Sequence, residues 1–223
     1  MLTVENIESW GLEHAIRGMR NPKNSWDKSD SFKTHIEDVE TLETADYQFF
    51  AGENDLDLMQ RLYNGGPEHR KYLRQVFVSM DITAPLYWWK QFDQYKIGVT
   101  TNSCSTMHKI AAKEFELKDF SWEHLGIMPS AKDLQFDCLD TLEFIIDELN
   151  VARELYLKTK DKYYWWQMIQ LLPSSYNQKR TVTMSYENVV NIIRQRTGHK
   201  LDEWSTLIDK LLELPYVKEI MEV

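Results

Sequence analysis

Apolar residues recur at helical spacing along most of this chain, and at strand spacing along a smaller part of it. Residues 4 to 20 place Ile7, Trp10, Leu12, Ala15, Ile16 and Met19 on one side of an amphipathic helix that Asn21-Pro22 ends. A second helix is predicted over Asp55 to Tyr63 by Leu56, Met59, Leu62 and Tyr63, with Asn64-Gly65-Gly66-Pro67 as its stop. Val76 to Thr83 is rich in β-branched and alternating residues and predicts a strand. Ala84-Pro85 breaks it, and Pro85 suits the first turn of a helix carrying Leu86, Trp88, Trp89 and Phe92.

Gly98 to Asn102 is predicted as a short break, and Ser103 to Lys113 as a helix capped by Asn102 or Ser103. Ser130 precedes a long helix predicted from 132 to 158, striped by Leu134, Cys138, Leu142, Ile145, Leu149, Ala152 and Leu155. Tyr163 to Leu172 follows as a bulkier helix ending at Pro173, and 180 to 185 is a short strand or extended link. Ser185, with Glu187 behind it, opens a helix through Arg196 that Gly198 closes; Asp202 to Leu212 and 216 to 222 are terminal helices. Helices dominate, but the strand signals are definite. The expected class is α+β, in a single domain spanning 1–223 with no repeat or linker, and an all-helical scaffold is the competing class.

Composition changes this picture in three places. The formal charge of −9 and the lack of any basic tract argue against a nucleic-acid binder, while leaving room for a small phosphorylated ligand in a local basic pocket. Eight Trp and eleven Tyr, with the pairs Trp88-Trp89 and Trp165-Trp166, are read first as core or subunit interface and second as stacking platforms. Two cysteines cannot build a disulfide framework, and no leader-like or membrane-length apolar run occurs, so a cytoplasmic protein with no membrane partner is expected.

Several motifs are absent: a Gly-rich phosphate loop, a dinucleotide fingerprint, His-Glu-x-x-His, and cysteines at metal-ligand spacing, so no metal site is expected. The cluster His35, Glu37, Asp38, Glu40 is read as a solvated acidic segment before a cation site. Cys104 and His108, four apart, could form an activated thiol, but no third group completes it, and no catalytic residue is assigned.

Two stretches carry a family resemblance. From His69 to Lys109 the chain reads His69, the strand Val76 to Thr83, Ala84-Pro85, an aromatic approach to Gln91, then Gln94-Tyr95-Lys96, with Cys104 eight positions after Lys96. From Leu172 to Arg196 it reads Leu172-Pro173, Thr181-Val182, Asn191 and Arg196. In order and separation these resemble the flavin-dependent thymidylate synthases (ThyX). The resemblance implies a central antiparallel sheet with flanking helices and a helical C-terminal part. It also implies a homotetramer with FAD at subunit contacts, NADPH and methylenetetrahydrofolate as cosubstrates, and reductive methylation of a pyrimidine deoxynucleotide such as dUMP at C5. Carried over residue by residue, Gln91, Lys96, Cys104 and Arg196 are the substrate-binding candidates, and His69, Asn102 and Asn191 the cofactor-facing ones.

The departures are as specific. Where the family has Arg-His-Arg stand Gln94-Tyr95-Lys96, which keep one cation and lose the bidentate fork suited to phosphate. Cys104 takes the family's Ser position, and Thr106 the position of an Arg. Ile169 stands for an Arg before the Leu-Pro pair, Thr101-Asn102 for an Asn-Glu step, and Ser185 and Glu187 for Asn and Arg. The polar run Thr100 to Thr106, with His108 and Lys109, could instead form an anion cradle. Two functions stay open: a flavin-dependent nucleotide-modifying enzyme, and an inactive descendant that binds a nucleotide or protein as an oligomer.

Overall fold

A computed structural model of the chain describes residues 2–35, 47–129 and 135–223. In chain order, strand β1 (Thr3–Trp10) leads to helix α1 (Leu12–Arg20), and β2 (Phe32–His35) pairs with β3 (Tyr47–Phe50). Helix α2 (Glu53–Asn64), strand β4 (Phe77–Pro85), helix α3 (Leu86–Phe92), strand β5 (Val99–Ser103) and the single turn α4 (Thr106–Lys109) follow. Strands β6 (Ile127–Pro129) and β7 (Gln135–Asp137) precede the long helix α5 (Cys138–Thr159) and α6 (Lys162–Leu171). Strand β8 (Asn177–Ser185) and helices α7 (Tyr186–Arg196), α8 (Asp202–Leu212) and α9 (Val217–Met221) complete the chain.

Four strands form one sheet in the order β1-β4-β8-β5, and β2-β3 and β6-β7 form two-stranded antiparallel ribbons. The Thr183 hydroxyl meets Ser79 at 3.3 Å and the Thr181 hydroxyl meets Asp81 at 2.6 Å. Two steps forward on β4 thus match two steps back on β8, which makes that central pair antiparallel. Alternation buries Val78, Met80, Ile82 and Ala84 from β4, and Gln178, Val182 and Met184 from β8. The α+β expectation holds, and the all-helical alternative is excluded by this sheet.

The chain packs as two compact units. One comprises Met1–Glu5, Asp81–Lys96 and Thr101–Val182; the other comprises Asn6–Met80, Ile97–Thr100 and Thr183–Val223. The core of the first contains Ile110, Phe115, Phe120, Leu142, Ile146, Leu149, Ala152 and Met168, which seats one face of α5 against α6. The core of the second includes Met59, Leu73, Trp204, Leu207 and Leu211, each fully or almost fully removed from solvent. Among the described residues no helix is long and apolar enough to cross a membrane.

Five boundaries differ from the sequence expectation. Residues 4 to 20 are a strand and then a helix: Gly11 takes φ +97°, and the ladder of β1 beside β4 prevails over the local helical period. Residues 99 to 103 are strand rather than a break, and the helix expected to Lys113 is the single turn α4, preceded by Ser105, whose hydroxyl accepts the His108 amide at 3.1 Å. Helix α5 begins at Cys138, where the Asp137 carboxylate accepts the Leu139 amide at 2.8 Å. The Ser130 cap, Leu134 and the acidic residues Glu37, Asp38 and Glu40 lie outside the described residues. Strand β8 starts three residues earlier than the expected 180.

Candidate functional site

Helix α3 opens the site-bearing part of the first unit. Its first amides need partners outside the helix: Leu86 and Tyr87 N–H donate to the carbonyls of Tyr176 and Ser174, each at 3.0 Å. This fixes Ala84-Pro85 as the corner between strand and helix. Trp88, Trp89 and Phe92 are then fully buried, with ring centroids 4.9 to 5.4 Å apart in edge and stacked arrangements. The Trp88-Trp89 pair is core, the first of the two expectations for it. Gln91 stands half-buried on the same helix, while Lys96 is exposed in the turn after it.

A hydrogen-bonded relay ties this helix to the polar run. The Trp89 indole N–H donates to the Gln178 carbonyl at 2.9 Å, and the Arg180 guanidinium lies 4.2 Å above the Trp89 ring. Arg180 also donates to Asp93 at 2.7 Å and to the Gln178 side-chain carbonyl at 3.0 Å. The Gln178 amide then donates to the Cys104 carbonyl at 2.8 Å, and the Cys104 N–H donates to the Lys179 carbonyl at 3.0 Å. Both backbone groups of Cys104 are spoken for, leaving its exposed thiol.

That thiol edges a cleft of about 220 Å³ lined by Cys104, Ser105, Thr106, Lys109, Tyr176 and Gln178, among others. Lys113 and Lys179 also reach it, but Lys113 pairs with Asp119, and Lys179 pairs with Glu5 at 3.1 Å and Asp81 at 3.3 Å. Lys109 has no ion-pair partner among the described residues, so its charge is available to a ligand. Burial, with the charges of Asp119 and Cys104 added, raises the Tyr176 phenol above its ordinary range and keeps it a neutral donor at pH 7. One cation, two aliphatic hydroxyls, a phenol and a thiol around a small concavity suit a compact anion. Gln91, Lys96 and Asn102 do not line this cleft.

In the second unit, His69 is exposed on a turn of tight helix (Pro67–Gln75), its Nε2 3.7 Å from a Glu68 carboxylate oxygen. Asn191 is half-buried on α7, and Arg196 is that helix's last residue. Five positions apart, they point about 140° away from each other around the helix axis. The Arg196 guanidinium lies 4.5 Å over the ring of buried Trp204, where it also meets the helix C-terminal dipole. Glu187, where the family has an Arg, holds Arg74 through two hydrogen bonds of 2.7 and 2.9 Å.

Sequence reasoning missed Tyr176, Asn177, Gln178 and Lys179 as cleft residues, because a run of polar residues hides the start of β8. Position in the ladder, rather than residue type, makes them neighbours of Cys104.

Comparison with solved structures identifies the fold. The chain is similar to a crystal structure of flavin-dependent thymidylate synthase ThyX from Helicobacter pylori complexed with FAD and dUMP, with a TM-score of 0.65 and 17% identity, covering 97% of this chain and 95% of that one. A second structure of thymidylate synthase X from the same organism, with FAD and dUMP, gives a TM-score of 0.66 and 17% identity over 98% and 96% of the two chains. This chain has the ThyX fold along nearly its whole length. No protein-family model and no curated protein sequence matches it.

Proposed function

We propose that this chain is a divergent flavin-dependent thymidylate synthase-like protein, which binds a pyrimidine deoxynucleotide such as dUMP and modifies it at C5 with FAD. The observation that carries the reading is the cleft beside Cys104. It falls on the polar run where the sequence aligns with the family's nucleotide segment, in a fold whose solved examples hold FAD and dUMP. Lys109, Ser105, Thr106 and the Cys104 thiol would replace the missing guanidinium groups around the phosphate. The family resemblance adds Gln91, Lys96 and Arg196 to Cys104 as substrate-binding candidates, though of these Cys104 alone lines the cleft, and makes His69, Asn102 and Asn191 the cofactor-facing candidates.

The cofactor-facing residues bring an imidazole and two carboxamides, with His69 and Asn102 open to solvent. Such groups fit the ring edge and ribityl hydroxyls of a flavin, but they supply no guanidinium to its diphosphate. Each charge-assisted hydrogen bond lost with the family's guanidinium groups costs about 1.5–3 kcal/mol, so the nucleotide's phosphate is held more weakly here than by a full arginine set. When bound, FAD supplies the redox step; NADPH and methylenetetrahydrofolate are its cosubstrates in this reading. The chain's own part is to hold the nucleotide, shield it from water and keep the Tyr176 proton in place. A homo-oligomer, tetrameric in the reading, is supported by Phe144 and Val151, seven residues apart on one face of α5 and 63% and 52% exposed.

A second reading, a catalytically inactive nucleotide- or protein-binding oligomer, is favoured by one observation: Arg180 and Arg196 are both engaged on indole rings. The purified protein separates the two. The enzyme reading expects flavin absorbance that is retained or gained on adding FAD, and conversion of dUMP to dTMP with both cosubstrates. The second expects a rise in Tm with dUMP from a colourless protein. A Tm indifferent to both FAD and dUMP contradicts the nucleotide reading altogether.

A further inference from the structure

We infer that the turn between α5 and α6 docks on an anionic phospholipid surface, with Lys158, Lys160 and Lys162 among the headgroups and Leu157, Tyr163 and Trp166 at the edge of the acyl layer. All six residues belong to the first unit, and the inference does not rest on the nucleotide reading.

The core uses only part of the aromatic run on α6. Trp165 packs against the apolar core of the first unit, as Tyr156 of α5 does, and its indole N–H donates to the Met107 carbonyl at 3.2 Å. Met168 is fully buried. At 3.6 residues per turn, Lys162, Tyr163 and Trp166 fall on the side of α6 away from Met168. Tyr163 and Trp166 are 62% and 42% exposed, and Leu157, on the last turn of α5, is 40% exposed. The turn that carries them is well fixed. Lys160 closes α5, its amide donating to the Tyr156 carbonyl at 2.8 Å, and the Asp161 carboxylate opens α6 by accepting the Tyr163 amide at 2.9 Å. Residues 157 to 163 are exposed without interruption.

Charge complementarity names the partner. Residues 157–166 hold three lysines against one acid, Asp161, in a chain whose formal charge is −9. None of the three lysines has an ion-pair partner among the described residues. The Lys160 and Lys162 ammonium groups lie 5.8 and 5.7 Å from the ring centroids of Tyr156 and Trp166, so cations and rings share one surface. Tyr and Trp concentrate at the level of lipid headgroups, and each lysine there gains from anionic lipid while its stem lies along the apolar layer. Lysine is a point charge without a fixed fork, which suits headgroups that rearrange better than the set carboxylates of an acidic peptide. The expectation of no membrane partner rests on the lack of a membrane-length apolar run; that lack excludes a spanning helix and leaves contact at the surface open.

The test co-sediments the full chain with vesicles of phosphatidylcholine alone and of equimolar phosphatidylcholine and phosphatidylglycerol. The mixed vesicles should bind about tenfold more tightly or better, and high salt should release the chain by screening the headgroups. A variant carrying Lys158→Gln, Lys160→Asn and Lys162→Gln should lose about tenfold or more in affinity at an unchanged Tm. Asn is used at 160 because that residue takes φ +59°. Lipids brominated in the acyl chain should quench tryptophan emission of the bound chain, and Trp166→Phe should remove most of that quenching. No binding to the mixed vesicles, equal binding to the two kinds, unchanged affinity in the lysine variant, or quenching that persists in Trp166→Phe each overturns the inference. Polyglutamate bound as tightly as the mixed vesicles also overturns it, and assigns the turn to an acidic polypeptide.

Discussion

Two arginines rest their charge on indole faces, Arg180 on Trp89 and Arg196 on Trp204, at 4.2 and 4.5 Å. A third, Arg20, is buried against Asp55, which is itself wholly shielded from solvent. Burial by itself would raise the Asp55 carboxyl; the hydrogen bonds from Ser31, Ser29 and Arg20 together outweigh it and hold the group below its ordinary 3.8. A depressed carboxyl contributes stability that is fully present above its unfolded pKa and is lost as pH falls through the lower folded value. Urea midpoints should therefore hold above about pH 4 and decline below it. Asp55→Asn, which leaves Arg20 buried without its anion, should cost about 3–5 kcal/mol at pH 7 and show a shallower acid decline. Little of this was legible in the sequence, where Arg20 and Asp55 stand 35 positions apart and Ser29 to Ser31 look like ordinary loop. The Trp88-Trp89 pair was legible as core, because large rings inside an amphipathic helix have few other places to go.

Elements with strong local signals formed where the pattern put them: α2, α3, α6, α7 and α8 all match their apolar spacing and stops. The failures occur where pairing across the sheet overrides local periodicity. Strand β1 carries helical spacing but pairs beside β4, and β5 occupies what reads as a polar break. Gly11 is the hinge between β1 and α1. At φ +97° it adopts a conformation L side chains rarely take, and an added Cβ would lie 2.2 Å from the Gln75 carbonyl oxygen. Gly11→Ala should thus cost more than about 1 kcal/mol, since the positive φ alone accounts for that much, and the clash must be relieved by moving the chain at Gln75. Chemical denaturation of the variant measures it. An unchanged midpoint would mean that the turn is softer than this geometry allows.

At the scale of the whole molecule, the fold was legible through two gapless stretches even though most of their charged residues have changed. What sequence could not supply was the cleft, because its walls come from the end of β5, from α4 and the segment after it, and from the start of β8. In the proposed reading the altered residues form a set: Lys109, two hydroxyls and a thiol, which line the cleft, would take the anion in place of the lost guanidinium groups. The direct measurement is calorimetric titration of the chain with dUMP, beside a Lys109→Gln variant of equal thermal stability. Saturable binding is expected, weakened by about tenfold or more in Lys109→Gln, the loss that follows from removing one charge-assisted contact to phosphate. Identical dUMP affinity in the two proteins, or no binding by the unaltered chain, would contradict it.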